Sequence, residues 1–587
     1  MSDTFLENGI GILVKNCRKA GYNVVVEDWA NETFYNNISP KVLSKINRLL
    51  YKKLLFGKNW RYPKIITRLI GFIALTNQNL LEMYLNFMTH KHLSKVAKRI
   101  SREKIPLLGI KVWYGDGYKW SNELVKKVNK SSPETVTIAG GPHPTIYQEE
   151  LLKHSNFDFA IVSEGEYALV DILSIARNGR TKSEIVDEIN KAAEKNKIKN
   201  LIYRDNGIIK KSECKRLDIA SKEIPEYTNL NSKVKVHIII DSLGCPYGEC
   251  SFCVHAKFYR YQSRDPEQVV EEIKLMLKKG IGIFRLAGSG PHLGAVSKIA
   301  KKILENKLNI IFSMFGMVVP KAKNPERYIK LVKTYELLIK AGLRAVFFGA
   351  ETGNDLVLRE AMGKIVTRED LIYTVKALRE ASQNIGINVD IGLSFIYPVP
   401  TLGKVDLKQV YNDNIELAKA MSPDSILCSP PGPFKYTEWY ENHDKYGFTM
   451  GDNFLSEMLN YEYVLYKPLN MWKDINISLD GIRGKGLLEK CQEMRKGFES
   501  LGFPTEITDE HFLLLRNAGY RDKAGVEIFK RETLLDIISC NYDFTNKIYK
   551  EFNKVSEMIA ESNKINNATP LINKPIQKIF EEKSIYK

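Results

Sequence analysis

From 237 to 428 the chain alternates short apolar runs with amphipathic stretches of helical period, and this alternation restricts its folding more than any other feature. The runs 283–286, 309–314, 345–348, 388–395 and 425–428 have strand length, while 266–279, 295–305, 326–341, 368–382 and 406–421 carry the spacing of helices. A strand, a crossover helix and the next strand pair in parallel with a right-handed crossing, which gathers functional groups at the carboxyl ends of the strands. Six such steps are expected, the first being the apolar run 238–240.

That first run empties into HIIIDSLGCPYGECSFCVHAKFYRYQ (237–262). Cys245, Cys250 and Cys253 fall within nine residues there, close enough to wrap one soft metal centre. Structural zinc needs a fourth ligand. His255 is the nearby candidate, and no further Cys or His pair follows at knuckle spacing. Three thiolates also suit a [4Fe–4S] cluster, leaving one iron open to a substrate or cofactor. Cys428, Cys491 and Cys540 are too scattered to suggest a second cluster.

Cys245-x4-Cys250-Ser251-Phe252-Cys253 after a strand resembles the signature of radical S-adenosylmethionine enzymes, with one residue, Gly248 or Glu249, beyond the family's usual first gap. The resemblance implies that S-adenosylmethionine chelates the open iron through its amino and carboxylate groups, and that Phe252 packs near the adenine. Ala287-Gly288-Ser289-Gly290 stands where the family binds the methionine amino group, which assigns Gly288 and Ser289 to the cofactor. Gly349-Ala350-Glu351-Thr352-Gly353-Asn354 resembles the strand-four motif, in which Glu351 faces the ribose or methionine end. Ser394 opens SFIYPVP, a loose match to strand five. The implied fold is a partial (β/α)6 barrel.

Ahead of it, ENGIGILVKNCRKAGYNVVVED (7–28) reads as a helix stopped by Gly21 and a strand at 23–26. Strand 106–112, a helix near 120–128, strand 135–139 ending in GGPHPT, and strand 157–162 ending in SEGE continue as a Rossmann-like, doubly wound α/β sheet. The combination resembles the cobalamin-binding domain of cobalamin-dependent radical S-adenosylmethionine enzymes. Carried over, Gly140, Gly141, Pro142 and His143 line the lower face and nucleotide tail of the corrin, with Glu164, Gly165 and Glu166 at the next strand end. Two departures stand out. The family has a strand before the GIGIL helix, for which residues 1–6 offer no counterpart, and cobalamin retention hangs on this. No Asp-x-His-x-x-Gly occurs, so His143 is expected as a wall residue and not as a cobalt ligand.

A length of 587 residues, 44% of them hydrophobic, calls for two to four folded domains. The expected division is a cobalamin-binding-like domain over 1–215, a linker over 216–232 around Pro225, the barrel over 233–430, and a helical C-terminal domain over 431–587 that closes the barrel mouth. NLIYRDNGIIKKS (200–212) predicts a hairpin turning at Asp205-Asn206-Gly207. Within the first domain, 33–104 is a helical insertion. It carries no Asp or Glu from Thr33 to Leu81, yet holds Lys41, Lys45, Arg48, Lys52, Lys53, Lys58, Arg61, Lys64 and Arg68. With Val42, Ile46, Leu49 and Leu50 at helical spacing, it can cover a pocket, or lie through 41–70 on an anionic membrane. Arg68 interrupts the apolar run, so no span is expected.

The net charge of +18 reads mainly as solvated lysine, and no aromatic-interleaved basic motif or zinc finger points to nucleic acid. One cysteine cluster and no secretory pattern over 1–20 indicate the reducing cytoplasm, or the inner face of its membrane.

The resemblance implies that a flavodoxin- or ferredoxin-type donor reduces the cluster, and that S-adenosylmethionine is cleaved to methionine and a 5′-deoxyadenosyl radical. That radical abstracts hydrogen from an unactivated carbon of a natural-product or peptide substrate. Cobalamin then delivers a methyl group, making the chain a radical C-methyltransferase. A second reading keeps the cofactors and replaces methyl transfer by ring closure or carbon–carbon coupling, with a lipid among the candidate substrates. A third, a cobalamin- or cluster-binding sensor without turnover, leaves the AGSG and GAETGN motifs unexplained. His292, Tyr397 and Asp390 lie near the mouth and receive no role from sequence.

Overall fold

The computed structural model describes residues 6–29, 32–56, 64–176, 181–228, 234–255, 260–288, 290, 292–462 and 469–565. Two sheets organise them. In the first, β1 (Leu107–Lys111), β2 (Val136–Gly140), β3 (Phe159–Ile161), β4 (Leu201–Asp205) and β5 (Ile208–Lys211) lie in chain order. β1 to β3 run parallel, and β4 and β5 add an antiparallel hairpin. Alternation along the strands divides the core. Val136, Ile138, Phe159 and Ile161 meet helices Glu166–Ala176 and Lys182–Glu194, whereas Ala139 and Ala160 meet helix Asp116–Ser131 on the other face. The expected hairpin turn is present, with Asn206 and Gly207 both left-handed at φ 49° and 79°.

One expected strand is absent. Residues 22–29 lie outside any sheet, with Val25 67% exposed. A strand exists only where a neighbour takes its hydrogen bonds, and among the described residues β1 is a sheet edge with nothing beyond it.

β6 (Val236–Ile239) begins the second sheet and leads into a short antiparallel ribbon, β7 (Ser242–Leu243) with β8 (Gln262–Ser263). β9 (Ile283–Leu286), β10 (Ile311–Gly316), β11 (Leu343–Glu351), β12 (Asp390–Ile396) and β13 (Ser425–Ser429) then join β6 in a six-stranded, all-parallel sheet in chain order. Four of the five crossover helices, all but Leu293–Glu305, start at a residue whose side chain satisfies a free amide. Asp265 accepts from Glu267 N at 2.9 Å, Asn324 from Arg327 N at 3.2 Å, Thr367 from Asp370 N at 3.1 Å and Asp406 from Lys408 N at 2.8 Å. Phe284, Leu286, Phe312, Met314, Val346, Phe348 and Leu393 pack against these helices on the outer face. Helix Gly484–Ser500 takes the sixth outer position beside β13.

The inner face is filled rather than open. Val236, Ile283, Ile311, Ala345 and Phe347 meet Phe512, Leu513, Phe529, Ile548 and Phe552 from helices Asp509–Ala518, Lys523–Ser539 and Asp543–Ile565. Within the expected C-terminal domain these last helices lie away from the mouth, which the domain's opening segment covers. Ser556 Oγ accepts from Gly282 N at 3.0 Å, Asn563 Oδ1 from Asn309 N at 2.8 Å, and Glu557 pairs with Lys235, all at the amino ends of strands. Those ends present backbone groups that must find partners, and the C-terminal helix supplies them. The mouth is covered instead by 434–461, which reaches across to the first sheet: Gly115 N donates to the Leu459 carbonyl at 2.8 Å, and Lys435 pairs with Glu149 at 3.1 Å. Its strand β14 (Phe448–Met450) joins β15 (Ile477–Leu479) and β16 (Ile482–Arg483) in a small antiparallel sheet.

Candidate functional site

The cysteine loop leaves the carboxyl end of β6 and is closed at its base by the β7–β8 ribbon. Gly248 takes φ 71° and Glu249 is exposed, so the extra residue sits on the outside of the loop. The loop is held from two sides. Ser251 N donates to the Met362 carbonyl at 3.0 Å, and the Tyr247 hydroxyl donates to Gly363 O. From the mouth cover, Trp439 N donates to Ser251 O at 3.1 Å and its indole N–H to Ala361 O at 2.8 Å, while its ring lies 5.5 Å from that of Phe252.

Cys245, Cys250 and Cys253 are half-buried, and none is in a disulfide. Burial pushes the Cys250 thiol up to about 12 against the pull of Lys364, and the other two thiols add to the rise, so the three share one electrostatic neighbourhood. Among the described residues no three His, Cys, Asp or Glu side chains, His255 included, are gathered at metal-binding distance. Metal binding must therefore deprotonate the thiols and draw them together, and half-exposed positions on an anchored loop leave room for it. A three-thiol donor set fits an iron–sulfur centre better than closed tetrahedral zinc.

The AGSG turn after β9 packs directly on this loop. A β-carbon on Gly290 would lie 2.9 Å from Cys245 Sγ, and one on Gly288 would lie 1.9 Å from Ser242 Oγ. Gly288 N donates at 2.8 Å to Asp241, a buried carboxylate that sequence reading passed over. Ser289 lies outside the described residues. The glycines thus let the turn pack directly on Asp241, Ser242 and Cys245, where a side chain of its own would not fit.

At the end of β11, Glu351 adopts φ 62°, a left-handed conformation that costs a residue with a β-carbon about 1–3 kcal/mol. Lys364 holds it there, donating to Glu351 Oε1 at 3.0 Å and to Gly349 O at 2.8 Å, beside Cys250. Ser394 on β12 alternates with the outward-packed Leu393 and Phe395 and so stands on the inner face. Asp390 and Tyr397 are engaged elsewhere. Asp390 binds Arg516 at 2.8 Å, and the Tyr397 hydroxyl donates to Leu407 O at 3.4 Å. Near the carboxyl end of β9, Arg285 pairs with buried Asp509 at 2.7 Å and with Glu510 at 3.0 Å, and covers the Phe315 ring at 4.8 Å.

At the strand ends of the first sheet, Gly140 has open space on its side-chain face and Gly141 takes φ 105°. His143 is buried among Trp113, Tyr114 and Tyr147, at ring distances of 5.1, 4.9 and 6.0 Å, and its Nδ1 has no partner. A glycine-lined opening beside an orphaned imidazole nitrogen fits a large, flat, polar ligand. Glu164 binds Ser163 at 2.6 Å, Gly165 packs near Leu13, and Glu166 faces Lys222 at 3.6 Å. Between this edge and the mouth cover lies a cavity of about 590 Å³ whose lining includes Thr145, Ser163, Lys211, Arg216, Lys435 and Tyr436.

Burial holds the His143 imidazole down at about 4, and that of His511 likewise at about 4. In the unfolded chain both take a proton near 6.5, so the stability they contribute is complete above 6.5 and is lost as pH falls toward 4. The slope is at most about 1.4 kcal/mol per pH unit for each. Asp241 acts in the opposite sense. Its carboxyl is raised by burial to about 6, and its contribution is lost as pH rises from about 4 through 6. His143→Phe is expected to flatten the acid limb of the urea-midpoint profile between pH 6.5 and 4, and an unchanged slope would contradict the burial assigned to it.

Comparison with known proteins places this geometry. The profile of the Radical SAM superfamily matches residues 239–413, and that of the B12 binding domain matches residues 74–173. An anaerobic magnesium-protoporphyrin IX monomethyl ester cyclase of Rubrivivax gelatinosus is 24% identical over 59% of this chain, which spans 59% of that protein's length. An uncharacterized methyltransferase of Pyrococcus horikoshii is 23% identical over 65% of this chain and 77% of its own. The solved structure of TsrM, a radical S-adenosylmethionine methyltransferase of Kitasatospora setae with cobalamin and a [4Fe–4S] cluster bound, superposes with a TM-score of 0.58 at 13% identity, covering 91% of this chain and 96% of that one. The chain thus carries a B12 binding domain ahead of a radical SAM domain, and the cofactors these two domains take are a [4Fe–4S] cluster, S-adenosylmethionine and cobalamin.

Proposed function

We propose that the protein is a cytoplasmic C-methyltransferase acting on an unactivated carbon of a natural-product or peptide substrate, reduced by an external flavodoxin- or ferredoxin-type donor. When bound, the cluster and S-adenosylmethionine supply hydrogen abstraction, and cobalamin supplies a transferable methyl group. Cys245, Cys250 and Cys253 hold the cluster. Gly288 and Gly290 leave room for S-adenosylmethionine, Phe252 packs against it, and Glu351, fixed by Lys364, and Ser394 receive its polar end. Gly140, Gly141, Pro142 and His143 line the corrin, and the basic side chains Lys211, Arg216 and Lys435 suit the phosphate of its nucleotide tail.

The observation that carries this reading is the contact of the AGSG turn with the cysteine loop, where any side chain on Gly290 would strike Cys245. Methyl transfer draws support from the relatives named as methyltransferases. The cyclase relative favours a second reading, in which the same cofactors close a ring.

The test is anaerobic reconstitution with iron, sulfide and hydroxocobalamin, then incubation with S-adenosylmethionine and reductant. Formation of both 5′-deoxyadenosine and S-adenosylhomocysteine is expected of a methyltransferase. 5′-Deoxyadenosine alone, with cobalamin bound, would leave the ring-closing reading, and neither product would overturn both.

A further inference from the structure

Helices Lys41–Phe56 and Lys64–Arg102 form a hairpin that is built inside out. Its seam is polar. Buried Asn47 donates to Gln78 and, at 3.0 Å, to the Ile538 carbonyl, while Asn77 donates to the Leu43 carbonyl at 3.1 Å and to Asn47 Oδ1 at 3.0 Å. The seam is also anchored. Arg48 pairs with Glu532 at 2.6 Å and with Asp536, and Tyr51 and Ala74 pack on Leu535 and Ile538 of helix Lys523–Ser539.

The outward face is apolar. On the long helix Ile65 is 78% exposed, Phe72 70%, Met83 68% and Phe87 64%, with Leu69 and Leu80 exposed between them. Their spacing keeps them on one face, and at 1.5 Å per residue the stripe runs about 33 Å. Val42, Ile46 and Leu49 are likewise exposed on the shorter helix. Soluble proteins seldom leave so large a continuous apolar surface uncovered.

Charge decides what covers it. Lys41, Lys45, Lys52, Lys53 and Arg68 are exposed on the two helices, and no Asp or Glu occurs from Thr33 to Leu81. A second copy of the same face would oppose lysine to lysine. An anionic lipid surface complements both the apolar stripe and its basic flank. No described helix is long and apolar enough to cross a membrane, so contact is confined to the interface.

We propose that this hairpin seats the protein on an anionic bilayer, with Ile65 to Phe87 in the headgroup–acyl boundary and the flanking lysines on lipid phosphates. This goes beyond the catalytic reading and does not depend on it.

The test is co-sedimentation of the full chain with vesicles of phosphatidylcholine alone or mixed with phosphatidylglycerol. Binding is expected to the mixed vesicles, weakened by salt, and reduced roughly tenfold or more by K45E/K52E. F72S/M83S should reduce it similarly, and because these positions are exposed the thermal midpoint should not move. Three results would overturn the proposal: no binding to phosphatidylglycerol vesicles, binding indifferent to F72S/M83S, or a dimer in sedimentation velocity that F72S/M83S dissolves, which would make a second copy the cover.

Discussion

Replacing Cys250 by alanine is expected to abolish formation of the iron–sulfur centre and, with it, all 5′-deoxyadenosine production. Three thiols on one loop are the proposed donor set, whereas Cys428 and Cys491 lie against each other with sulfurs 3.8 Å apart. Iron in the anaerobically reconstituted protein should fall from about four atoms per chain to background. The fold should survive. Cys250 is half-buried on a loop held through Ser251 and Tyr247, so its thiol carries little of the packing, and the urea midpoint should move by no more than about 0.5 kcal/mol in stability. Cys214→Ala, at a half-buried cysteine remote from that loop in sequence, serves as the control and should retain full iron. Full iron and undiminished nucleoside in Cys250→Ala would remove the cluster from this loop.

Trp439→Ala should cost the fold more than any other single change at the mouth. The indole is fully buried, packs on Phe252 and Phe448, and donates to the Ala361 carbonyl. Removing a large buried aromatic typically costs about 3–5 kcal/mol, and here it also orphans a carbonyl. Trp439→Phe separates the two contributions, keeping most of the apolar volume and losing only the hydrogen bond, for about 1 kcal/mol. In that milder variant iron should pass to a chelator faster than in the parent protein, because the indole hydrogen bond to Ala361 no longer ties the cover down beside the loop. A Trp439→Ala protein within 1 kcal/mol of the parent by urea denaturation would show that the mouth cover does not restrain the loop.

The strands of the two sheets were legible because strand and helix periods are local records of burial. The turn at Asn206-Gly207 and the alternation from 283 to 428 needed nothing beyond their own neighbours. Pairings between distant positions leave no such trace. Arg285 meets Asp509 across 224 residues, and nothing about an arginine in a strand foretells a partner so far along the chain. Trp439 sits in an irregular stretch whose role comes from the loop it touches. Asp241 became visible only once Gly288 was seen to donate to it. The extended run at 22–29 failed for a related reason, since strand propensity records what a residue tolerates and not whether a neighbour is there to pair with it.

The filling of the inner face by helices 509–565 bears on how the protein is made. β6 leaves the ribosome hundreds of residues before Phe512, Phe529 and Phe552, so one side of the growing sheet stays apolar and bare until those helices have been made. Domains usually fold as they emerge, and uncovered sheet faces are where nascent chains aggregate. This barrel instead reaches its final packing late, and a cell that produces it must shelter the unfinished sheet and load metal into the finished chain.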